Sequence, residues 1–124
     1  MRLLLDTHLL LWALGQPSKL SAAARKQIEK ADVYVSAASI WEISIKSALG
    51  KLKANPVDVL GAIEPAGFNL LPITGEHAAN TAELPPHHKD PFDRMLIAQA
   101  SCEPMILLTN DNILAHYGSF VKVT

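Results

Sequence analysis

Cysteine is almost missing from this sequence: Cys102 is the single one in 124 residues. No internal disulfide can form, and a lone thiol reads as a small core residue in a reducing cytosol rather than a reactive nucleophile. Aromatic residues are scarce at 6%, so aliphatic side chains must carry the packing. Neither sign of charge is in excess. The formal net charge is −1, which excludes a strongly basic nucleic-acid-binding surface but leaves nucleic acid open, because local lysines or bound cations can attract phosphate. Long apolar runs are absent too. Leu9 to Leu14 is too short to span a bilayer, and the start of the chain is interrupted by Asp6 and His8 with no small-residue cleavage site behind them, so no signal peptide is expected. The expectation is a soluble cytoplasmic protein without membrane contact. Repeats, low-complexity tracts and linker-like stretches are also lacking, and the length fits one domain, residues 1–124, with a modest core.

What is present is an alternation of short apolar runs with helical patterns. Arg2 to Leu5 is continuously apolar after its first residue and ends in an acid, as a strand buried on both faces does. Thr7 to Leu14 predicts a helix, closed near Gly15 and Pro17, and Leu20 to Lys30 a second, capped by Ser18 or Ser21 with Ala22, Ala23 and Ile28 inward. Val33 to Ser36 reads as the second strand. Ser39 to Leu49 predicts a helix whose Ile40, Trp41, Ile43, Ile45 and Leu49 exceed one narrow stripe, so burial on more than one side is expected. Helix 56–66, stopped by Gly67, leads to an edge strand over 68–73 marked by Pro72, then a helix over 75–84 and a loop, Pro85-Pro86-His87-His88-Lys89. A helix from Asp90, a strand over 105–108, a short helix over 111–116 and a last strand over 120–123 complete the chain. The fold class is α/β: a central, mainly parallel sheet of about four to five short strands, flanked by helices through right-handed crossovers.

Four acids recur at equivalent places in that alternation. Asp6 follows the first strand, Glu42 lies near the start of the next helix, Asp93 is in the first turn of the helix begun by Asp90 and Pro91, and Asp111 follows the strand 105–108. In a parallel sheet, strand C-termini and the helix N-termini after them share one edge, where such folds place their sites. Residues 36, 51 and 18 positions apart can therefore converge. Each acid also has a purely structural role open to it. Asp6, Asp90 and Asp111 suit N-caps, Ser39-x-x-Glu42 fits a capping box, and Glu42 can pair with Lys46 one turn on. Capping, however, does not require a shared edge. Four carboxylates together repel, and some must hold protons unless a divalent cation relieves them. Oxygen-only donors suit Mg²⁺ or Mn²⁺ rather than zinc, and such ions activate water against a phosphodiester while offsetting charge on its oxygens.

The segments Leu5-Asp6-Thr7-His8, Trp41-Glu42-Ile43, Asp90-Pro91-Phe92-Asp93-Arg94-Met95-Leu96-Ile97-Ala98 and Leu108-Thr109-Asn110-Asp111 resemble the motifs of PIN-domain ribonucleases, nearest to the VapC-like toxins of toxin–antitoxin pairs. The likeness runs from Leu3 to Val123. It implies a PIN-like fold and an acidic quartet of Asp6, Glu42, Asp93 and Asp111 holding Mg²⁺ or Mn²⁺, with Asp6 and Asp93 the firmest ligands. It also implies endoribonuclease activity on an RNA substrate, a homodimer, and inhibition by a small antitoxin protein. Many relatives carry one acid in the third motif where this chain has two; alignment of the following apolar segment favours Asp93 and leaves Asp90 as the cap or an outer participant.

Further candidates surround the quartet. Thr109 and Asn110 can orient Asp111 or a metal water, or simply form a turn. Arg94 can contact a phosphate or fix a carboxylate, or join a surface ion pair. His8, close to Asp6, can face the cleft, although a half-buried, hydrogen-bonded histidine is the first expectation. His87-His88 invites a metal reading that no cysteine or second histidine pair supports. Lys46, Lys51, Lys53 and Lys89 can line a path for RNA or be plain surface, and Trp12 and Trp41 are expected in the core. Three competing functions are a catalytically silent RNA- or protein-binding domain of the same fold, a signalling receiver domain, and a phosphatase with an aspartyl nucleophile. A receiver needs an acid pair after its first strand and an Asp ending a central strand; here Thr7 follows Asp6. The phosphatase needs an Asp two residues after Asp6, where His8 stands.

Overall fold

The computed structural model describes every residue from Met1 to Thr124. Five strands, β1 (Arg2–Leu5), β2 (Asp32–Ser36), β3 (Asn69–Leu71), β4 (Ile106–Thr109) and β5 (Val121–Val123), form one sheet in the order β3-β2-β1-β4-β5. Every pairing is parallel. Six helices connect them: α1 (Thr7–Gly15), α2 (Ala22–Lys30), α3 (Ala37–Ala48), α4 (Pro56–Ile63), α5 (Gly75–Asn80) and α6 (Pro91–Cys102). Three short 3-10 turns, Pro17–Lys19, Thr81–Glu83 and Asn112–Tyr117, fill the remaining connections. The expected α/β architecture is therefore present, as a single all-parallel sheet covered by helices. No helix is long and apolar enough to cross a membrane.

Burial on both faces explains why the strands do not alternate in polarity. Leu3 and Leu5, Val33 and Val35, and Leu108 turn to one face and pack with Leu9, Leu10, Leu20, Ala24, Ile43 and Ile63. Leu4, Leu71, Leu107 and Val121 turn to the other and pack with Leu96, Ile97, Ala100, Met105 and Leu114. Adjacent residues of a strand thus feed opposite cores, as a two-residue period requires. β3 is an edge strand, as Pro72 beside it predicts.

Several local expectations change. α3 begins at Ala37, with the Ser36 hydroxyl accepting the Ala38 N–H at 2.9 Å; Ser39 lies inside the helix and caps nothing. The helix foreseen to residue 66 is regular only to Ile63, after which a turn closes on Gly67 at φ +83°, with Phe68 N–H bonded to Ile63 carbonyl. That left-handed glycine is the reason the chain can leave the helix and enter β3. Ala24 replaces Ala22 and Ala23 on the inner face of α2. Cys102 is exposed, because the last turn of α6 rotates it away from the sheet. α3 packs against β2, α1, α4 and α6, as its surplus of apolar positions implies, but one stripe stays open: Trp41 is 60% and Leu49 63% exposed, and Ile45 lies on the same line. Spacings of four residues put these three on one line of the helix, opposite Ile43. Trp12, by contrast, is half-buried against the first core.

A candidate active site at the carboxyl edge of the sheet

From β1 the chain proceeds to β2 and β3 on one side, then returns to place β4 and β5 on the other. The crevice where the order reverses lies at the C-terminal ends of β1 and β4, the place where open α/β sheets bind ligands. Asp6 directly follows β1 there. Its backbone N–H bonds Leu108 carbonyl at 3.0 Å, so it continues the ladder to β4. Its Oδ1 accepts the Leu9 N–H at 2.9 Å, capping α1. Its Oδ2 accepts the Thr109 hydroxyl at 2.5 Å. The Thr109 oxygen in turn accepts the Asp111 N–H at 3.1 Å, so one buried hydroxyl ties two of the acids together.

Glu42 lies in the second turn of α3, deeper in the helix than expected, and is 5% exposed. Its Oε1 accepts the Thr7 hydroxyl at 2.7 Å, and its Oε2 pairs with Lys46 Nζ at 2.5 Å. Asp90 caps α6, its Oδ1 accepting the N–H groups of Phe92 and Asp93 at 2.8 and 3.1 Å. Pro91 occupies the first helical position, where a missing N–H costs nothing. Asp111 caps the 3-10 turn Asn112–Tyr117 through the Ile113 N–H at 3.0 Å. All four sequence-predicted acids, with Asp90 and Asn110, line one cleft of about 690 Å³ together with Thr7, His8, Trp12 and Lys46.

The electrostatics follow from burial and crowding. Asp93 is pushed up to about 7 by burial first, then by the charge of Asp90, with Glu42 and Asp6 adding to it and His88 opposing. Burial also raises Asp6, although the Thr109 hydroxyl and the Leu9 N–H hold it back. Lys46 is raised chiefly by its hydrogen bond to Glu42. A cluster that retains a proton near neutrality is short of positive charge. Its donors are carboxylate oxygens, the set that Mg²⁺ and Mn²⁺ take, so the residues present fit such an ion.

Other predicted residues fall elsewhere. Arg94 reaches neither a carboxylate nor the cleft: its guanidinium donates to the carbonyls of Thr81 and Pro85 at 2.7 and 3.0 Å and to the Tyr117 hydroxyl at 3.2 Å. It fastens the loop ahead of α6, adding to the turn bonds that those carbonyls accept from the Leu84 and His87 N–H groups. His8 is exposed on the lip of the cleft, not half-buried. Trp41 leaves the core and meets Phe92 edge to face, with ring centres 5.3 Å apart. Lys51, Lys53 and Lys89 are exposed. The residue that sequence reasoning set aside is His88. Its Nε2 stands 3.2 Å from Asp93 Oδ2 and 3.5 Å from Asp111 Oδ2. The signal was its place two residues before the α6 cap, which delivers its ring to the helix start; a search for a second histidine or a cysteine looked past it.

Comparison with known proteins agrees with this geometry. The profile of the PIN domain matches residues 3–119. Ribonuclease VapC22 of Mycobacterium tuberculosis is 31% identical over 115 residues, 90% of this chain and 88% of that protein. Among solved structures, VapBC2 from Rickettsia felis, bound to a DNA fragment from its promoter, aligns over 100% of this chain and 98% of its own, with a TM-score of 0.72 at 14% identity. FitAcB from Neisseria gonorrhoeae aligns over 93% and 91%, with a TM-score of 0.64 at 20% identity.

Proposed function

The chain belongs to the PIN-domain family, as a VapC-like member, and on that premise we propose that residues 1–124 form one Mg²⁺- or Mn²⁺-dependent endoribonuclease domain, the toxin of a toxin–antitoxin pair. The observation that carries the reading is the meeting of Asp6, Glu42, Asp93 and Asp111 in one crevice at the switch point of the sheet. Asp6 and Asp93 are the principal ligands, with Glu42 and Asp111 completing the set and Asp90 shaping the field around them. The ion supplies charge neutralisation at the scissile phosphate and makes water a better nucleophile.

The protein's own groups do the rest. Thr109 and the Leu9 N–H use one lone pair on each oxygen of Asp6 and fix its plane. Thr7 and Lys46 do the same for the two oxygens of Glu42. Water attacks phosphorus in line, one of the carboxylates takes the proton that water loses, and the opposite P–O bond breaks as its leaving oxygen takes a proton from solvent. An antitoxin that covers the crevice would silence it, as the toxin–antitoxin reading requires. The stripe of Trp41, Ile45 and Leu49 supports a homodimer.

The test incubates purified protein with total cellular RNA in Mg²⁺, in Mn²⁺ and in EDTA, beside Asp6→Asn and Asp93→Asn. Cleavage is expected with either ion and is expected to vanish with chelator or either substitution. Cleavage that continues unchanged in EDTA, or in both variants, sinks the reading.

A further inference from the structure

We propose that His88 is a positioning residue of the carboxylate centre, held in its Nε2–H tautomer with that nitrogen set between Asp93 and Asp111, and not a ligand of the metal. The proposal rests on the reading of those acids as metal ligands. At first sight the geometry suggests the opposite. His88, Asp93 and Asp111 each offer one ligand atom, all within 4.8 Å of one another, which resembles a histidine–carboxylate metal triad.

The other ring nitrogen decides the matter. His88 Nδ1 accepts the backbone N–H of Asp90 at 3.0 Å. A nitrogen that accepts a hydrogen bond carries no hydrogen, so the neutral ring has its proton on Nε2. Turning the ring over would set carbon against the Asp90 N–H and carbon against both carboxylates, losing every polar contact. The protonated Nε2 then stands 3.2 Å from Asp93 Oδ2 and 3.5 Å from Asp111 Oδ2. With a hydrogen there, no lone pair is left for a cation. A metal-ligating histidine shows the reverse arrangement, with its second nitrogen donating to a carboxylate or carbonyl.

The loop holds this ring in place at both ends. The His88 N–H donates to the Tyr117 hydroxyl at 3.0 Å, and Arg94 Nη1 reaches the same hydroxyl at 3.2 Å and the His88 carbonyl at 3.4 Å. The 3-10 turn that carries Asp111 also carries Tyr117, and α6 carries both Asp93 and Arg94. One imidazole thus spans the two elements and sets the spacing of their carboxylates. The centre also remains oxygen-only, so zinc finds no nitrogen donor.

The experiment labels the histidines with ¹⁵N, records long-range ¹H–¹⁵N spectra of the protein with and without Mg²⁺, and measures Mn²⁺ by pulsed electron paramagnetic resonance. Mg²⁺ and Mn²⁺ affinities are compared for wild type, His88→Ala and His88→Gln, with circular dichroism and thermal melts for each. His88 is expected as the Nε2–H tautomer in both states, with no nitrogen bonded directly to Mn²⁺. Alanine is expected to weaken ion binding about tenfold, the lower end of what loss of such a supporting contact costs. Glutamine, which keeps an N–H donor at the Nε2 position, is expected to recover most of it. A nitrogen coupled directly to Mn²⁺, an Nδ1–H tautomer in the metal-bound protein, or a folded alanine variant that binds as wild type does would each overturn the proposal. If alanine does not fold, the spectra and the glutamine variant still decide. Wild-type protein that binds neither ion overturns the metal reading itself, a result separate from all of these.

Discussion

Thr109 is fully buried and serves two acids with one oxygen, donating to Asp6 and accepting from the Asp111 backbone. Thr109→Val keeps its shape and removes both bonds. The expected cost is about 1–3 kcal/mol, because a buried N–H loses its partner; urea unfolding measures it, and calorimetric titration should show weaker Mg²⁺ binding. Asp93 yields a pH prediction. Its folded-state value, about 7, lies above the ordinary 3.8, so the folded protein keeps a proton that the unfolded chain has released. In chelator, stability from this group is therefore complete below about 3.8 and is lost progressively as pH rises through about 7. Its side chain is 26% exposed, and after allowance for solvent the effect is on the order of 2 kcal/mol between about pH 5 and 8. Melting temperature against pH in EDTA checks this: it should fall across that window in wild type and stay flatter in Asp93→Asn. At this scale Asp6, Asp93 and Asp111 were legible because each follows a strand or lies in the first turn of a helix, while Glu42 sits a turn deeper in α3 than its sequence suggested. His88 was not, because its role depends on which backbone N–H its other nitrogen meets, and no spacing rule encodes that.

The start of α6 combines two effects that a single substitution can separate. Asp90 caps the helix with one oxygen and, after burial, is the largest influence raising Asp93. Asp90→Asn keeps the cap and removes the charge, so stability should change by less than about 0.5 kcal/mol, while Mg²⁺ binding persists to lower pH because Asp93 gives up its proton more readily. Titration of Mg²⁺ affinity against pH reads the shift; an unmoved profile would show that Asp90 does not act on Asp93. Helix starts were legible where an Asx or Ser cap precedes a proline or an apolar run, as at Asp90, Asn55 and Ser21. Four serines or alanines in a row before Ile40 blurred the start of α3. There the true cap is Ser36, the last residue of β2, and the choice is made by the end of the strand rather than by a motif. The Asn112–Tyr117 segment, expected as a short helix, winds as a 3-10 turn.

Across the whole molecule, alternation of apolar runs and helical periods was enough to imply a parallel sheet with both faces covered. The order of its strands was not legible, since nothing local says that β4 inserts beside β1 rather than beyond β3. Nor was the outer stripe of α3: an apolar helix reads as buried whether its partner is the same chain or another surface. If that stripe joins two copies, Ile45→Asp should shift sedimentation from dimer to monomer without lowering the helical circular dichroism signal.

The position of β1 has a temporal consequence. Its first pairing partner in space on one side, β4, is made about a hundred residues later, and Leu3 meets Ile106 only then. Until the ribosome has delivered the C-terminal part of the chain, Asp6 lacks the Thr109 hydroxyl and the crevice has only one wall. On the proposed nuclease reading, a chain that has not yet delivered Thr109 has no assembled centre, so cleavage can begin only after that strand has paired with the first.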